Sequence, residues 1–595
     1  MIERSQALAA LSRDEFDVAV VGGGITGAGV ALDAASRGYS VALLERADFA
    51  SGTSSRSSKL VHGGLRYLQN FDLGLVREAL LERHLMVALA PHLVRPLPLV
   101  VPAFEGAHPD RLVGVGLNLY DVMSVDRDRL RTRRGKRARG ERAQNAAAPL
   151  PQGEGADSWS PERHRVISGE EVIELLPALA AREPTSGYLF YDCQTDDVRL
   201  VLTVLGEAER FGAVCANRLD VTGLLERDGR ADGVEVLDTE SGERFQVRAA
   251  NVVNATGVWA DELRPRELHE EAELPRIRPS RGTHITIRHS ELPLVGGAIV
   301  PAGSGRSIFA LPWLGHALVG TTDNDYEGPL EHIRPSNEDI DYLLDAVNGF
   351  FHTTLGPGDL TGAFAGVRPL ISTGDPKKSV DISRKAELYE TSSGMITITG
   401  GKLTTWRRMA KMTVDRLVER DARDALCRTH EIPLGQAIDV EELPRVEGVP
   451  EGSYQQLASR YGHAAHDVLA LAADRGELAQ PIVAGLPDLL AEVALAARHE
   501  QARSIGDVLL RRTRLGLLAA RELVGEDPSS GDATRPVELV GDVLARELGW
   551  SAERLALELT RFAEEAGAEG ILAEVERPAS VETPAAAATA PPAMP

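Results

Sequence analysis

Three glycines near the N-terminus have the spacing of a dinucleotide-binding turn. Gly22, Gly24 and Gly27 form the pattern Gly-x-Gly-x-x-Gly, and an acidic residue, Glu45, follows roughly 20 residues later. In such a turn the first glycine permits a tight bend, the second lets a pyrophosphate approach the backbone, and the third lets helix and strand pack closely. Glu45 would accept hydrogen bonds from an adenosine ribose, which disfavours a 2′-phosphate. The pattern therefore predicts FAD or NAD as the bound dinucleotide, and not NADP.

The segments around this turn predict a complete βαβ unit. Residues 16–21 are an apolar, valine-rich run typical of a buried strand, residues 25–37 follow a helical pattern, and residues 39–44 predict a second strand. The helix N-terminus would present free N–H groups and the positive end of its dipole to phosphates. Residues 254–257 follow another apolar strand and resemble the second dinucleotide contact of two-domain flavoproteins, which favours FAD. The same four residues also fit a plain turn from strand to helix.

A polar, glycine-rich run follows the βαβ unit. Residues 51–68 read SGTSSRSSKLVHGGLRYL. Serines, glycines and basic residues at this density make a poor hydrophobic core. Their hydroxyl and N–H groups suit a loop that binds a phosphate-bearing cofactor and substrate, and we expect such a loop here.

The composition is that of a large, acidic globular protein. The chain has 595 residues, a mass of 63.9 kDa and a formal net charge of −23, with a pI near 5.2. The length predicts two or three domains, and the acidity argues against nucleic-acid binding, which requires a basic surface. An anionic substrate would need local positive charge in its site. The three cysteines, Cys193, Cys215 and Cys427, imply neither a disulfide framework nor a metal site.

The sequence predicts a cytoplasmic protein. No window reaches about 18 uninterrupted apolar residues, the length that a membrane-spanning helix needs. The first 17 residues carry Glu3, Asp14 and Glu15 and have no long apolar core, so they do not resemble a signal peptide. Peripheral attachment to the inner face of the cytoplasmic membrane stays open.

The polar run closely resembles a family signature. TSSRSSKLVHGGLRYL is similar to the signature of FAD-dependent glycerol-3-phosphate dehydrogenases. Three further motifs agree with that family in type and order, GTTD at 320–323, GVRPL at 366–370 and TGGKLTT at 399–405, and Arg511-Arg512-Thr513 agrees in the C-terminal region. The resemblance covers residues 14–570. The chain departs from the family in an insertion at 131–160 and in a Pro/Ala-rich tail, and neither touches a motif.

The fingerprint and the resemblance together imply a non-covalently bound FAD. By similarity, His62 would face the flavin ring, and the turn before Leu403 would open a helix beside it. The predicted cofactor-binding residues are Gly22, Gly24, Ile25, Thr26, Gly27, Glu45, Thr53, Ser54, Ser55, Ser58, Lys59, His62, Gly63, Gly64, Ala255, Thr256, Gly257, Gly401, Lys402, Leu403 and Thr404.

The resemblance also implies a substrate pocket beside the flavin. It places there Arg66, Tyr67, His284, Arg368, Arg384 and Lys402. Arginines suit a phosphate because their planar guanidinium makes paired hydrogen bonds. His284, Arg368 and Lys402 are the predicted catalytic residues, with the imidazole as base and the lysine stabilising negative charge on the reduced flavin. Taken alone, a histidine here is also compatible with a structural role, and a single arginine with a surface ion pair.

The reaction implied by the resemblance is oxidation of sn-glycerol 3-phosphate to dihydroxyacetone phosphate, with hydride transfer from C2 to flavin N5. The family passes the electrons to a membrane quinone, and the arginine-rich residues 127–142 could contribute to docking on anionic lipid. Alternatives are an oxidase that uses O₂ on the same substrate, an FAD amine or amino-acid oxidase, and a flavin-bound protein without turnover. The oligomeric state stays open, a homo-oligomer included.

We expect an α/β architecture with a Rossmann-like FAD-binding domain, a mixed-sheet substrate cap and a helical C-terminal domain. The predicted segments are FAD-binding parts at 14–105, 165–260 and 361–425, a variable helix and basic insertion at 106–164, the cap at 261–360, the helical domain at 430–575 and a disordered tail at 576–595.

Overall fold

The structure is a computed structural model, and it describes residues 3–64, 73–104, 116–117, 164–263, 276–303, 306–372, 386–524 and 535–573. Several predictions fall outside these residues. They concern Arg66, Tyr67 and Arg384, the basic stretch at 127–142 with most of segment 106–164, and the tail at 576–595.

The described strands form two sheets. They are β1 (Glu15–Val21), β2 (Val41–Leu44), β3 (Leu60–Val61), β4 (Arg95–Ala103), β5 (Arg165–Ser168), β6 (Ser186–Gln194), β7 (Val214–Ala216), β8 (Leu219–Arg227), β9 (Arg230–Asp238), β10 (Arg244–Asn254), β11 (Arg276–Arg288), β12 (Gly297–Pro301), β13 (Ser307–Trp313), β14 (His316–Gly320), β15 (Asn324–Asp325), β16 (Leu360–Ser372), β17 (Ala386–Glu390) and β18 (Ile396–Gly400).

The described helices are distributed around and after the sheets. They are α1 (Arg4–Arg13), α2 (Ile25–Ser36), α3 (Leu73–Leu89), α4 (Gly169–Leu175), α5 (Asp197–Arg210), α6 (Asn337–Phe351), α7 (Trp406–Arg420), α8 (Glu451–Tyr461), α9 (Ala465–Asp474), α10 (Leu490–His499), α11 (Leu515–Leu518), α12 (Ala520–Val524), α13 (Pro536–Leu548) and α14 (Ala552–Glu569).

The first sheet has the predicted Rossmann-like centre. Its parallel core runs β18–β10–β1–β2–β7, β17 adds to one edge in the antiparallel sense, and β8 and β9 extend it antiparallel from β10. The valine run of β1 is buried because neighbours cover both faces of a central parallel strand. Helix α2 packs against α5 and α7, and the shared core includes Val20, Val253 and Trp406. The predicted βαβ unit is confirmed, with element ends within two residues.

The second sheet is mixed, as predicted for the cap. Its order is β15–β11–β14–β13–β12–β4–β6–β3, with β16 beside β11 and β5 beside β6. Only the β4–β12 pair among the described pairs of this sheet is parallel. The predicted strand pattern at 281–322 is confirmed by β11 to β14.

The two sheets do not divide along the predicted domain segments, and the domain boundaries stay predictions. Strands β3 to β6 fall in or next to segments assigned to the FAD-binding domain, and β16 starts one of them, yet all pair in the second sheet. The second sheet therefore draws strands from well outside the predicted cap segment 261–360. Local sequence patterns indicate a strand but carry no information on its long-range partner, so they could not assign these strands to a sheet.

Helices α8 to α14, the helical region, confirm the predicted helical C-terminal part. They enclose a core that includes Leu457, Leu469, Val493, Leu509 and Val540. None of the helices in the described part of the chain is long and apolar enough to cross a membrane. Cys193 and Cys215 are buried free thiols, and Cys427 is half-buried.

Candidate active site

A cavity of about 1610 Å³ lies where the two sheets and the helical region meet. It is lined by the glycine turn after β1, by the loop between β2 and β3, by the second sheet and by α14. A large cavity at a junction of domains is the usual place for a cofactor and its substrate.

Two glycines of the turn, Gly22 and Gly27, lie against backbone that leaves no room for a side chain. Gly22 has φ +111°, and a Cβ there would lie 2.6 Å from the carbonyl oxygen of Ala255. A Cβ on Gly27 would lie 1.9 Å from the carbonyl oxygen of Gly22, which confirms the predicted close packing of α2 on β1. Gly24 is the N-cap of α2 and lines the cavity with Ile25 and Thr26. The turn thus brings close-packed backbone and a helix N-terminus, the positive end of the helix dipole, to the cavity, which suits a pyrophosphate.

Glu45 faces this turn from the end of β2. Its carboxylate accepts hydrogen bonds from the N–H of Gly23 at 2.7 Å and of Ala47 at 2.8 Å. Burial raises the pKa of Glu45, and these two N–H groups oppose that rise. Since each carboxylate oxygen can accept more than one hydrogen bond, Glu45 keeps acceptor capacity for a ribose in the cavity.

The loop of residues 45–59, here the serine loop, brings its hydroxyls to the cavity. Its turn Thr53–Ser55 is a short 3₁₀ helix. The Oγ of Ser54 accepts a hydrogen bond from the N–H of Ile25 at 3.0 Å, and Thr53 Oγ1 donates to the carbonyl of Val367 at 2.7 Å. The loop therefore joins the helix N-terminus to the second sheet.

Four predicted cofactor residues lie off the cavity wall: Gly27, Ser55, Lys59 and Gly63. Lys59 is fully buried, and its Nζ donates to both carboxylate oxygens of Asp197, at 2.7 and 2.9 Å, and to the carbonyl of Ser55 at 2.6 Å. Burial lowers the pKa of Lys59 to about 8. Its ammonium is thus committed to an internal ion pair, and its contact with the cofactor stays a prediction.

The other predicted cofactor residues line the cavity. They are Gly22, Gly24, Ile25, Thr26, Glu45, Thr53, Ser54, Ser58, His62, Gly64, Ala255, Thr256, Gly257, Gly401, Lys402, Leu403 and Thr404.

The segment after β10 is held in a tight turn. Asn254 Oδ1 accepts hydrogen bonds from the N–H and the hydroxyl of Thr256, and its Nδ2 donates to the carbonyl of Ala260. Gly257 follows with φ +64°. This turn opens the short 3₁₀ helix Gly257–Trp259 and leaves its backbone on the cavity wall.

The third cavity segment follows β18. Gly401 has φ +71°, and a Cβ there would lie 2.4 Å from Met409 Sδ. Lys402 is the N-cap of the 3₁₀ turn Leu403–Thr405, which leads directly into α7. This confirms the predicted helix start near Leu403. The Oγ1 of Thr404 accepts from the N–H of His62 at 3.2 Å, so the two predicted flavin-facing segments meet.

His284 lies on β11 at the second-sheet side of the cavity. Its side chain is buried, and its Nε2 is 2.9 Å from the Oγ of Ser58. Its Nδ1 is buried and has no hydrogen-bond partner among the described residues. Burial lowers the pKa of His284 well below its usual value, and the charges of Lys59 and Arg368 add to this. The imidazole is therefore neutral at neutral pH. Its one described hydrogen-bond contact is between Nε2 and Ser58, which also lines the cavity.

Arg368, on β16, is fixed against the end of β14. Its Nη2 donates to Thr321 Oγ1 at 3.1 Å and to the carbonyl of Thr322 at 3.3 Å, and its Nη1 lies 3.4 Å from Asp323 Oδ1. A Cβ on Gly282 of the neighbouring strand would lie 2.5 Å from its Nη2, so a larger residue there would displace the guanidinium. The guanidinium thus has a defined position on the cavity wall.

The structure brings His284, Arg368 and Lys402 to one cavity, and Arg66, Tyr67 and Arg384 lie outside the described residues. Sequence reasoning missed Thr321 and Asp323, which hold Arg368. The motif at 320–323 contained both residues and could have indicated them. It also missed the cavity lining from α14, including Phe562, Glu565 and Glu569, for which no local motif exists.

Two family models match the chain. One, described as FAD dependent oxidoreductase, matches residues 17–416. The other, described as the C-terminal domain of alpha-glycerophosphate oxidase, matches residues 427–555. The two matches together span both sheets and most of the helical region.

Named relatives are similar over nearly the whole chain. Glycerol-3-phosphate dehydrogenase 2 of Mycobacterium tuberculosis is 35% identical over 570 residues, covering 94% of this chain and 89% of the relative. Aerobic glycerol-3-phosphate dehydrogenase of Bacillus subtilis is 34% identical over 534 residues, covering 86% and 89%. The structure of glycerol-3-phosphate dehydrogenase from Bacillus halodurans complexed with FAD superimposes with a TM-score of 0.72 at 28% identity, covering 95% of this chain and 97% of that one.

Proposed function

Because this chain belongs to the family of FAD-dependent glycerol-3-phosphate dehydrogenases, we propose that it oxidises sn-glycerol 3-phosphate at C2 to dihydroxyacetone phosphate. The chain is a flavoprotein oxidoreductase whose cofactor is FAD. The observation that carries the substrate assignment is the continuous cavity that joins the glycine turn to His284 and Arg368. A cofactor cradle and a basic pocket for an anion are thus parts of one site.

The residues of the cradle fit FAD. The side-chain-free turn at Gly22 and Gly24 and the N-terminus of α2 would hold the pyrophosphate beside Ser54. Glu45 would accept hydrogen bonds from the ribose hydroxyls. Lys402 and the N-terminus that follows it would stabilise negative charge at the flavin ring. When bound, FAD supplies the hydride acceptor for C2.

Ser58 and His284 provide a route for the C2 hydroxyl proton. Both side chains line the cavity, and their 2.9 Å contact places Ser58 Oγ against Nε2. The Ser58 hydroxyl can accept a hydrogen bond from the substrate hydroxyl while it donates to Nε2. A neutral imidazole can take up the proton, and its depressed pKa keeps it neutral at working pH.

Arg368 would bind the substrate phosphate or polarise its C2 oxygen. Its guanidinium is held on one side by Thr321, Thr322 and Asp323, which fixes its orientation on the cavity wall. In a chain of net charge −23, such a fixed cation focuses the local field on an anion. Arg66, Tyr67 and Arg384 stay predicted members of the same pocket.

The proposed electron acceptor is a membrane quinone, reached by peripheral docking of the protein on the inner face of the cytoplasmic membrane. This part rests on family resemblance to relatives such as the aerobic enzyme of Bacillus subtilis. O₂ is the second candidate acceptor, because the family model that matches residues 427–555 is described from an alpha-glycerophosphate oxidase.

The test is a visible absorption spectrum of the purified holoenzyme during anaerobic addition of sn-glycerol 3-phosphate. We expect a flavin spectrum that bleaches, whereas sarcosine or a D-amino acid should leave it unchanged. A ubiquinone analogue should then restore the oxidised spectrum faster than air does, with little hydrogen peroxide formed.

The possible outcomes separate the parts of the proposal. A flavin that stays oxidised with glycerol 3-phosphate but bleaches with an amine would overturn the substrate assignment in favour of an amine. Reoxidation by air with stoichiometric peroxide would identify O₂, and not a quinone, as the electron acceptor. The Arg368→Ala variant serves as control, since it should retain the flavin and lose the bleaching at substrate concentrations that suffice for the parent protein.

A further inference from the structure

Three arginines in one short segment of the helical region hold the serine loop at two points. Arg511 and Arg512 contact Asp48 near the start of the loop, and Arg514 contacts the carbonyl of Ser55 further along. The family model for the FAD dependent oxidoreductase ends at residue 416, before these arginines. The loop that faces the cofactor cavity is therefore held by a part of the chain that lies outside that family domain.

The first attachment is a buried cluster around Asp48. Arg511 Nε donates to Asp48 Oδ2 at 2.6 Å, and Arg512 makes a paired contact at 2.6 and 2.8 Å. Asn217 Nδ2 adds a longer contact at 3.3 Å. Asp48 and Arg512 are fully buried, so water does not compete for these groups. The attachment lies three residues after Glu45, the predicted ribose ligand.

The second attachment lies at the end of the 3₁₀ turn. Arg514 Nη2 donates to the carbonyl oxygen of Ser55 at 2.9 Å and to Asp197 Oδ1 at 2.8 Å. Lys59 shares both acceptors, and Ser57 donates to Asp197 through its N–H and its hydroxyl. Arg514, Lys59 and Asp197 are all fully buried. Arg514 therefore fixes the backbone directly beside Ser54, which contacts the N-terminus of α2.

Between the attachments the described loop has little structure of its own. The 3₁₀ turn Thr53–Ser55 is short, and its Ser54 and Thr53 contacts reach other parts of the fold. Ser58, which contacts His284, follows directly after the second attachment. Lys59 and Ser57 also hold this stretch, so loss of the arginines would loosen the backbone without releasing it. A looser backbone would let the hydroxyls on the cavity wall move, and a cofactor that depends on them would be held less tightly.

We propose that Arg511, Arg512 and Arg514 are positioning residues for the cofactor: by fixing Asp48 and Ser55 they hold the serine loop in the conformation that receives the pyrophosphate of FAD. The helical region thereby sets how long FAD stays bound. This inference needs the cofactor and does not depend on the substrate.

The test measures how fast the Arg514→Lys holoenzyme releases FAD after dilution. The recovery of flavin fluorescence reports the release. Lysine keeps the charge, but its single ammonium cannot reproduce contacts that Arg514 makes from two nitrogens, Nη1 with the carbonyl of Leu510 and Nη2 with Ser55 and Asp197. Arg199→Lys is the matched control. Arg199 is also buried and joins α5 to Glu500 of the helical region, but it has no hydrogen bond to the serine loop among the described contacts.

We expect Arg514→Lys to release FAD at least tenfold faster than the parent protein and Arg199→Lys to change the rate less than twofold. Melting temperatures of the two variants should fall by similar amounts, because both lose a buried contact between a guanidinium and a carboxylate. Arg514→Lys that is purified folded but without flavin would also support the proposal. Equal release rates in the two variants, or parent-like release from Arg514→Lys, would overturn it. Both measurements omit glycerol phosphate, so a wrong substrate assignment leaves them unaffected.

Discussion

The imidazole of His284 lies parallel to the ring of Phe364, with centroids 4.8 Å apart and an angle of 6° between the planes. The apolar ring covers one face of the imidazole, and this burial disfavours the charged form. Burial is the largest cause of the depressed pKa of His284, and the charges of Lys59 and Arg368 lower it further. The imidazole therefore remains a neutral proton acceptor over the whole neutral pH range.

The first prediction concerns the pH dependence of substrate oxidation. His284 should add no titration near its unperturbed value of 6.5, so the rate of anaerobic flavin bleaching should not fall through a pKa near 6.5. His284→Asn should slow bleaching by roughly 100- to 10,000-fold, the usual contribution of a general base, with FAD retained. Stopped-flow absorbance measures both. The matched variant is His62→Asn, and a larger loss there would transfer the role of base to His62.

The second prediction concerns the hydroxyl that contacts this imidazole. Ser58→Ala removes the described partner of His284 Nε2, and an unpaired buried group costs about 1–3 kcal/mol. We expect a roughly tenfold slower bleaching rate with little change in substrate affinity. Ser58→Thr keeps the hydroxyl and should recover most of the rate. If alanine and threonine variants behave alike, Ser58 has no part in moving the proton.

The third prediction concerns Arg368. Lysine at this position keeps the charge but cannot make the paired contacts of a guanidinium with a phosphate. Arg368→Lys should raise the KM for glycerol 3-phosphate by about tenfold or more, a loss of roughly 1.4 kcal/mol or more, with the flavin content unchanged. Steady-state kinetics with a quinone analogue measures this. The exposed Arg416→Lys is the control, and a parent-like KM for Arg368→Lys would remove it from the substrate pocket.

The sequence predicted those parts of the site whose structure depends on residues close together in the chain. The glycine turn, α2 and Glu45 depend on neighbours within one βαβ unit, and the helix start after Lys402 follows from a local Gly-Gly turn. Lys59 shows the limit of this reasoning. It lies inside a cofactor-like motif, but its direction is decided by Asp197, which is more than a hundred residues away in the sequence.

The same limit explains the second sheet and the helical region. A strand such as β4 is recognisable by its residues, yet its partners β6 and β12 are set by packing that no local pattern encodes. The sequence marks Arg511 and Arg512 as part of a family motif but indicates no role for them. Their contact with Asp48 joins positions over four hundred residues apart, so only the folded chain shows what the motif holds.

The fourth prediction compares two glycines of the turn. Alanine at Gly27 would place its Cβ 1.9 Å from the carbonyl oxygen of Gly22, and backbone cannot move aside without opening α2 from β1. Alanine at Gly24 would meet only Ser54 Oγ at 3.1 Å, which a small rotation relieves. Gly27→Ala should lower the free energy of unfolding by about 3 kcal/mol and abolish FAD binding. Gly24→Ala should fold normally and bind FAD more weakly, as thermal melts and flavin content will show.

Glu569 connects the serine loop and the second-sheet side of the cavity to the helical region. Glu569, the final residue of α14, accepts from Arg56 Nη2 at 2.7 Å and lies 2.9 Å from His332 Nδ1. The hydrogen bond to Glu569 raises the pKa of His332. Burial opposes ionisation of Glu569, but the charges of Arg56 and His332 outweigh it and lower the pKa of that carboxyl.

The fifth prediction is a pH-dependent contribution of this contact to stability. Because the pKa of His332 is raised above 6.5, its contribution is fully present below pH 6.5 and is lost as pH rises through the raised value. The lowered pKa of Glu569 makes its own contribution present above pH 4.5 and lost at more acidic pH. The melting-temperature difference between the parent and His332→Gln should therefore be largest between about pH 5 and 6.5 and small at pH 8.5.

Since His332 is half-exposed, the contribution should stay below about 1 kcal/mol. His430→Gln, which alters an exposed histidine beside Glu431, is the control. A difference that does not vary with pH would mean that the His332 charge plays no part in holding α14 to the cavity wall.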